Sequence, residues 1–269
     1  MRILTSQWKR SLNVIAVGPG WVAAGNDGFG ERQGGLEAWS IHSGEVVFSH
    51  PRGEPVRAAA FDPAGRLFYS LDEGLHIHEL PSGAACTAPG PKLDNSDFAL
   101  SADGRWLLVC SQGNQYGWLS CWKWQTDGSY RKLWQEGPQG GRWFGTPTIS
   151  ADGGQATIVE RAPGDAMHGV HATLWVNHTI CQEPIRRMHL IEPFELLALG
   201  LIAGGLLLSL TKRRVLVWNV QTGQLVQALR NQSRHMFTAL AVHPGGRWFA
   251  TADSTGTVRF WATDTLQVS

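Results

Sequence analysis

The sequence predicts an all-β fold: a single six-bladed β-propeller of four-stranded antiparallel blades. Three observations predict it. A short apolar run ending in a large side chain recurs along the chain, a Gly- or Pro-containing turn precedes each copy, and a small hairpin turn follows most of them. Recurring short strands with turn punctuation at a period of roughly 40–45 residues mark a four-stranded blade.

The anchor runs are Leu36-Glu-Ala-Trp39, Leu119-Ser-Cys-Trp122, Ala172-Thr-Leu-Trp175, Val215-Leu-Val-Trp218 and Val258-Arg-Phe-Trp261. Leu75-His-Ile-His78 fits the same register with His in place of Trp. Successive anchors (Trp39, His78, Trp122, Trp175, Trp218 and Trp261) are 39, 44, 53, 43 and 43 residues apart. The preceding turns are Gly18–Gly20, Asp62–Gly65, Ser101–Gly104, Ser150–Gly153, Ile202–Gly205 and His243–Gly246. Pro presets a negative φ early in such a turn, and Gly supplies a positive φ late in it. The following hairpins are Ser43-Gly44, Ser82-Gly83, Asp127-Gly128 and Thr222-Gly223, with Asn177-His178 and Asp264-Thr265 departing from the pattern. The strand before each Gly turn is small and apolar, as in Ala58–Phe61, which suits the crowded centre of a propeller.

This register gives one domain over 1–269. The blades fall near 12–50, 54–90, 96–136, 143–184, 188–230 and 235–269, with a closing strand at 2–9. The sixth blade has little chain left for an outer strand. Ile3–Trp8 is therefore expected to pair with the strand ending at Trp261, since an open ring leaves an exposed edge. The apolar stretch Phe194–Leu210 reads as two strands rather than a membrane span, because it is interrupted by Glu195 and a Gly turn.

Composition narrows the function. Of 269 residues, 43% are hydrophobic and 17% charged, which excludes a disordered chain. The formal net charge of +1 argues against a field that steers the chain to nucleic acid or an anionic membrane. The 13 Trp and 32 Gly fit short strands joined by tight turns. Cys86, Cys110, Cys121 and Cys181 form no CxxC pair. Cys110 and Cys121 fall on neighbouring strands, and the rarity of cytosolic disulfides argues against a bridge. No apolar leader follows Met1, so the expected location is cytoplasmic.

Candidate chemistry is thin, and no catalytic residue, cofactor site or metal site is assigned. His76-x-His78 shares a strand face but lacks a third ligand, and His78 holds an anchor position. His168-x-x-His171, with Glu160 and Asp165 nearby, is the stronger cluster but has no defined ligand geometry. Asp62, Asp103 and Asp152 belong to repeated turns, where Asp bonds its own backbone. Gly25-x-x-Gly28-x-Gly30 reads as a loop between strands, not a dinucleotide turn. Lys212-Arg213-Arg214 reads as a solvated turn.

From His235 to Trp261 the residues resemble the WD-repeat propeller family. The run looks like the pattern His…Val-x-Phe-x-Pro-Asp-Gly…Ser-x-Asp-Gly-Thr-Val-x-x-Trp. The resemblance extends over most of the chain and is weakest in the second and fourth copies. No anchor is followed by Asp, so the family's closing Trp-Asp pair is never complete. Family members carry a hydrogen-bonded His, Ser/Thr, Asp and Trp set. Here His235, Thr251 and Trp261 match, but Thr255 replaces the Asp, so the network is expected to be absent or incomplete.

The resemblance implies a protein-binding scaffold that is monomeric on its own and takes a protein partner. It also implies one rim shared by the loops between second and third strands and the links between blades. Three such loops are long: Asn26–Gly35, Gln112–Gly117 and Arg161–His171. So is the link Glu136–Gly145. Tyr116, Trp118, Arg142, Trp143, Phe144 and Arg161 are the expected partner-binding patch, since aromatics and Arg dominate interface energies. The alternative is an enzyme or small-molecule binder that uses the channel mouth.

Overall fold

The computed structural model describes residues 4–5, 12–26, 34–50, 55–71, 74–80, 85–87, 96–112, 117–136, 143–150, 155–161, 171–176, 186–189, 196–202, 205–231, 234–243 and 245–266. The chain is an all-β propeller of antiparallel sheets, and six four-stranded sheets are formed among these residues. After β1 (Leu4–Thr5), the first sheet holds β2 (Val14–Gly18), β3 (Trp21–Asn26), β4 (Gly35–Ser40) and β5 (Val46–His50). The second holds β6 (Ala59–Phe61), β7 (Arg66–Leu71), β8 (Gly74–Glu79) and β9 (Ala85–Thr87). The third holds β10 (Ser96–Leu100), β11 (Trp106–Gln112), β12 (Gly117–Trp124) and β13 (Tyr130–Glu136). The fourth holds β14 (Trp143–Ile149), β15 (Gln155–Arg161), β16 (His171–Val176) and β17 (Arg186–His189). The fifth holds β18 (Ala198–Ile202), β19 (Leu206–Leu210), β20 (Arg214–Asn219) and β21 (Leu225–Arg230). The sixth holds β22 (Phe237–Val242), β23 (Trp248–Asp253), β24 (Thr257–Ala262) and β1, with Leu4 opposite Val258 and Thr5 opposite Thr257.

The repeated punctuation has a direct structural meaning. Each Gly turn joins a first strand to a second. Gly246 shows why the residue is Gly: its φ of 65° is a left-handed conformation that a side chain disfavours. The side chain that opens the turn ties it shut. Asp62 Oδ1 accepts from Arg66 N at 2.8 Å, Ser101 Oγ from Trp106 N at 2.9 Å, and Ser150 Oγ from Gln155 N at 2.9 Å. The first strands are crowded, as their small residues foretell. A methyl on Gly200 would meet Val242 Cγ2 at 2.6 Å.

Every anchor lies on a third strand. In the first, third and fifth sheets, the ladder to the fourth strand shifts register immediately before the anchor Trp. Such a bulge bends the strand and re-aims the side chain. The core is distributed between sheets rather than within one. Separate apolar clusters fill the seams between sheets one and two, two and three, three and four, four and five, five and six, and six and one. The anchors whose side chains are described point into the seam with the preceding sheet. Trp218 sits with Val159 of the fourth sheet, Trp39 with Ala250 of the sixth, and Trp261 with Leu208 of the fifth. A large apolar side chain buried in this way contributes about 2–3 kcal/mol. His78 does the same job by ring contact, 4.2 Å from Phe48 of the first sheet.

Some expectations change. Trp143 and Phe144 are not in a link between sheets but in β14, opposite Arg161 and Glu160. The strand reaches back over them because its register shifts between Gly145 and Thr148, which takes Pro147, with no N–H to donate, out of the ladder. Likewise Gln112 pairs with Gly117 and Glu160 with His171, so both of these loops are shorter than expected. Gly25 is a β3 residue, packed where a methyl would meet the Gly35 carbonyl. Gly28 and Gly30 lie outside the described residues. The Phe194–Leu210 stretch forms β18 and β19, and no helix among the described residues is long and apolar enough to cross a membrane. Cys110 and Cys121 are both buried and not joined to each other; they face Leu119 and Leu108 across the β11–β12 ladder. Burial, and then the charge of Asp97, pushes the Cys110 thiol well above its ordinary pKa.

Candidate functional site

Two places could carry function: the rim where the first strands begin, and the channel they surround. Loops between second and third strands emerge at this upper rim. Trp118 stands at the start of β12, opposite Ser111, and is 37% exposed. Trp143 starts β14 on the adjoining sheet, with Arg161 across the ladder, and β12 and β14 are in contact. The backbone therefore brings Trp118, Trp143, Phe144 and Arg161 to one end of two neighbouring sheets. Tyr116 and Arg142, and the side chains of Trp143, Phe144 and Arg161, lie outside the described residues. Sequence reasoning missed two exposed apolar residues on the same rim, Leu197 and Met236. Each immediately precedes a first strand, which was the available signal.

The channel is one cavity of about 220 Å³, lined by residues of all six first strands. Most of its walls are Ala, Val, Leu and Phe. Asn13, Arg57 and Asp97 mark its upper mouth, and Arg57 Nε is buried with no hydrogen-bond partner. His243 lies at the opposite end. There it stacks on Trp248 at 4.6 Å, and its Nδ1 accepts from Gly245 N at 3.0 Å. Burial, followed by the nearby Arg247 charge, lowers its pKa. The carboxylate and the imidazole are thus a channel length apart, too far to share a proton in one reaction.

Several other titratable groups are engaged in structure. Asp62 receives Arg66 Nε at 2.7 Å, and Asp103 Oδ1 accepts from Ser101 Oγ and Arg105 N. Asp253, fully buried, accepts from Arg259 Nη1 at 2.6 Å and from the Thr255 and Thr257 backbones. Burial alone would raise its pKa, but these bonds outweigh burial and hold it below the usual value. His76 stacks on Tyr69, and burial lowers the pKa of His78. No group of three His, Cys, Asp or Glu able to hold a metal occurs among the described residues. His168 and Asp165, and the side chains of Glu160 and His171, lie outside them.

The expected incomplete network takes a particular form. The Trp261 indole donates to Thr251 Oγ1 at 2.9 Å, and Trp218 donates to Ser209 Oγ at 2.8 Å. The carboxylate beside the first pair is Asp253, two residues before the position where Thr255 stands.

Comparison with known proteins agrees with this geometry. The family model "WD domain, G-beta repeat" matches residues 223–262, from β21 through β24. No curated protein matches the sequence. Among solved structures, hydrazine synthase of Kuenenia stuttgartiensis is similar, with a TM-score of 0.65 at 11% identity over 95% of this chain and 84% of that one. At that identity the likeness concerns the fold alone.

Proposed function

We propose, from the premise that this chain is a WD-repeat β-propeller, that it is a non-catalytic scaffold that binds a protein partner through its upper rim. The observation that carries this reading is the convergence at one end of two sheets. Trp118 is exposed there, and β14 brings Trp143 opposite Arg161. Aromatic and Arg side chains at a rim of strand ends are the usual anchors of a protein interface. The channel supports the same reading in that its Asp97 and its His243 stand at opposite ends.

We further propose that the six sheets are six blades of one closed ring, locked where β1 adds to β24. Support comes from the apolar cluster between the sixth and first sheets and from the contacts that run β2, β6, β10, β14, β18, β22 and back to β2. Deleting residues 1–10 should lower Tm by roughly 5 °C or more. An unchanged melt contradicts the lock.

A second reading has one observation in its favour. The unpartnered Arg57 Nε at the channel mouth could receive a small anion. Isothermal titration with carboxylate and phosphate compounds, on wild type and Arg57→Gln, separates the two. Binding lost in the variant supports the channel; absence of binding leaves the rim reading in place.

A further inference from the structure

One surface of the molecule concentrates charge of a single sign. From Leu196 to Ala252 the sequence holds six of the 23 Lys and Arg and none of the 22 Asp and Glu. Five of the six lie at the upper rim of the fifth sheet and its link to the sixth: Lys212, Arg213, Arg214, Arg230 and Arg234. The near-neutral chain as a whole hides this local excess.

The fold gathers these five from two separate segments. Arg214 and Arg230 are direct partners in the β20–β21 ladder, so the two positions lie side by side. The link after β21 is laid onto the loop before β20 by two backbone bonds. Asn231 N donates to the Arg213 carbonyl at 3.0 Å, and Phe237 N to the Lys212 carbonyl at 2.8 Å. Asn231 Nδ2 donates to the His235 carbonyl at 2.7 Å and braces the link. Lys212, Arg213, Arg230 and Arg234 are all exposed. A braced surface that carries these four exposed cations complements an anionic partner.

We infer that this ridge is a second docking surface, which binds an extended acidic segment of a partner protein. Charge complementarity selects an anion, and Met236 selects the kind. Met236 is 49% exposed and immediately precedes the residue bonded to Lys212, so the ridge carries an apolar step beside its cations. A peptide that mixes Asp or Glu with an apolar side chain covers both. Single-stranded nucleic acid needs aromatic faces for its bases. The exposed large apolar side chains described on the rim of the fifth and sixth sheets, Leu197 and Met236, are both aliphatic. The surface lies on the fifth and sixth sheets, away from Trp118, and stands independently of the patch on the third and fourth.

The test is fluorescence anisotropy of the full chain with a labelled peptide of glutamates flanking one leucine, about ten residues long. A DNA oligonucleotide of equal net charge serves as comparator. Wild type should bind the peptide, more weakly as salt rises from about 50 to about 200 mM. The variant Arg213→Gln/Arg230→Gln/Arg234→Gln should bind it about tenfold more weakly. Trp118→Ala should not affect peptide binding. The inference is overturned if wild type fails to bind at low salt, if the triple variant binds equally, if the oligonucleotide binds more tightly, or if Trp118→Ala causes an equal loss.

Discussion

The sixth and second sheets solve the same packing problem with different chemistry. In the sixth, Trp261 fills the seam, donates to Thr251 and neighbours the buried Asp253–Arg259 pair. In the second, the corresponding positions hold His78 and Tyr69. His78 lies against Phe48, and Tyr69 stacks on His76 at 5.5 Å. What the two sheets share is the volume at the anchor, not its hydrogen bonds. The repeat therefore requires a flat, bulky ring on the third strand, and the polar network is an optional addition.

The largest expected effect breaks the polar side of that comparison. Asp253→Ala leaves the Arg259 guanidinium facing an empty position and should cost about 3–5 kcal/mol in chemical denaturation. The Asp253 pKa is lowered in the folded state, so its contribution is present above the unfolded value of 3.8 and fades as pH falls through the folded one. Asp253→Asn should accordingly flatten the loss of stability below about pH 4.

Next comes Trp218→Ala, which empties the seam between the fourth and fifth sheets and orphans Ser209. It should cost about 3–5 kcal/mol at most, by thermal or urea melts. Thr251→Val removes only the acceptor of the Trp261 indole and should cost about 1 kcal/mol. If the hydroxyl mattered more than the ring, these last two effects would be similar in size.

The smallest effect sharpens the comparison from the other side. His78→Phe keeps a ring against Phe48 and should leave stability near pH 7 within about 1 kcal/mol. Burial lowers the His78 pKa, so folding favours its neutral form. Its contribution is intact above the unfolded value of 6.5 and is lost as pH falls toward the folded value. Melts at pH 7 and pH 5 should therefore show a smaller acid-side drop in His78→Phe than in wild type.

Much of the fold was legible because its punctuation is local. A positive φ favours Gly in these turns, and a ring at the seam recurs with the repeat. His78 could be placed by register alone, even without a Trp. What stayed hidden depends on ladders. Nothing near Trp143 announces that β14 extends past Pro147, since the register shift that allows it is a property of the pairing with β15. The Asp253 hub escaped notice because it sits two residues from its expected place, close enough to reach Thr255, Thr257 and Arg259. Arg230 and Arg213 are remote in sequence and meet only through the β20–β21 hairpin and the link laid over it. Arg57 looks like any strand-edge cation until six first strands enclose it.

The central claim is that the upper rim, and not the channel, carries function. Quantitative affinity capture from the source cell tests it most directly, comparing wild type with two variants of unchanged melting temperature. One carries Trp118→Ala with residues 162–170 replaced by a short Gly-Ser linker; the other carries Arg57→Gln in the channel. The account predicts that a specific partner is lost from the rim variant and retained by the channel variant. Retention by the rim variant together with loss from the channel variant would contradict it.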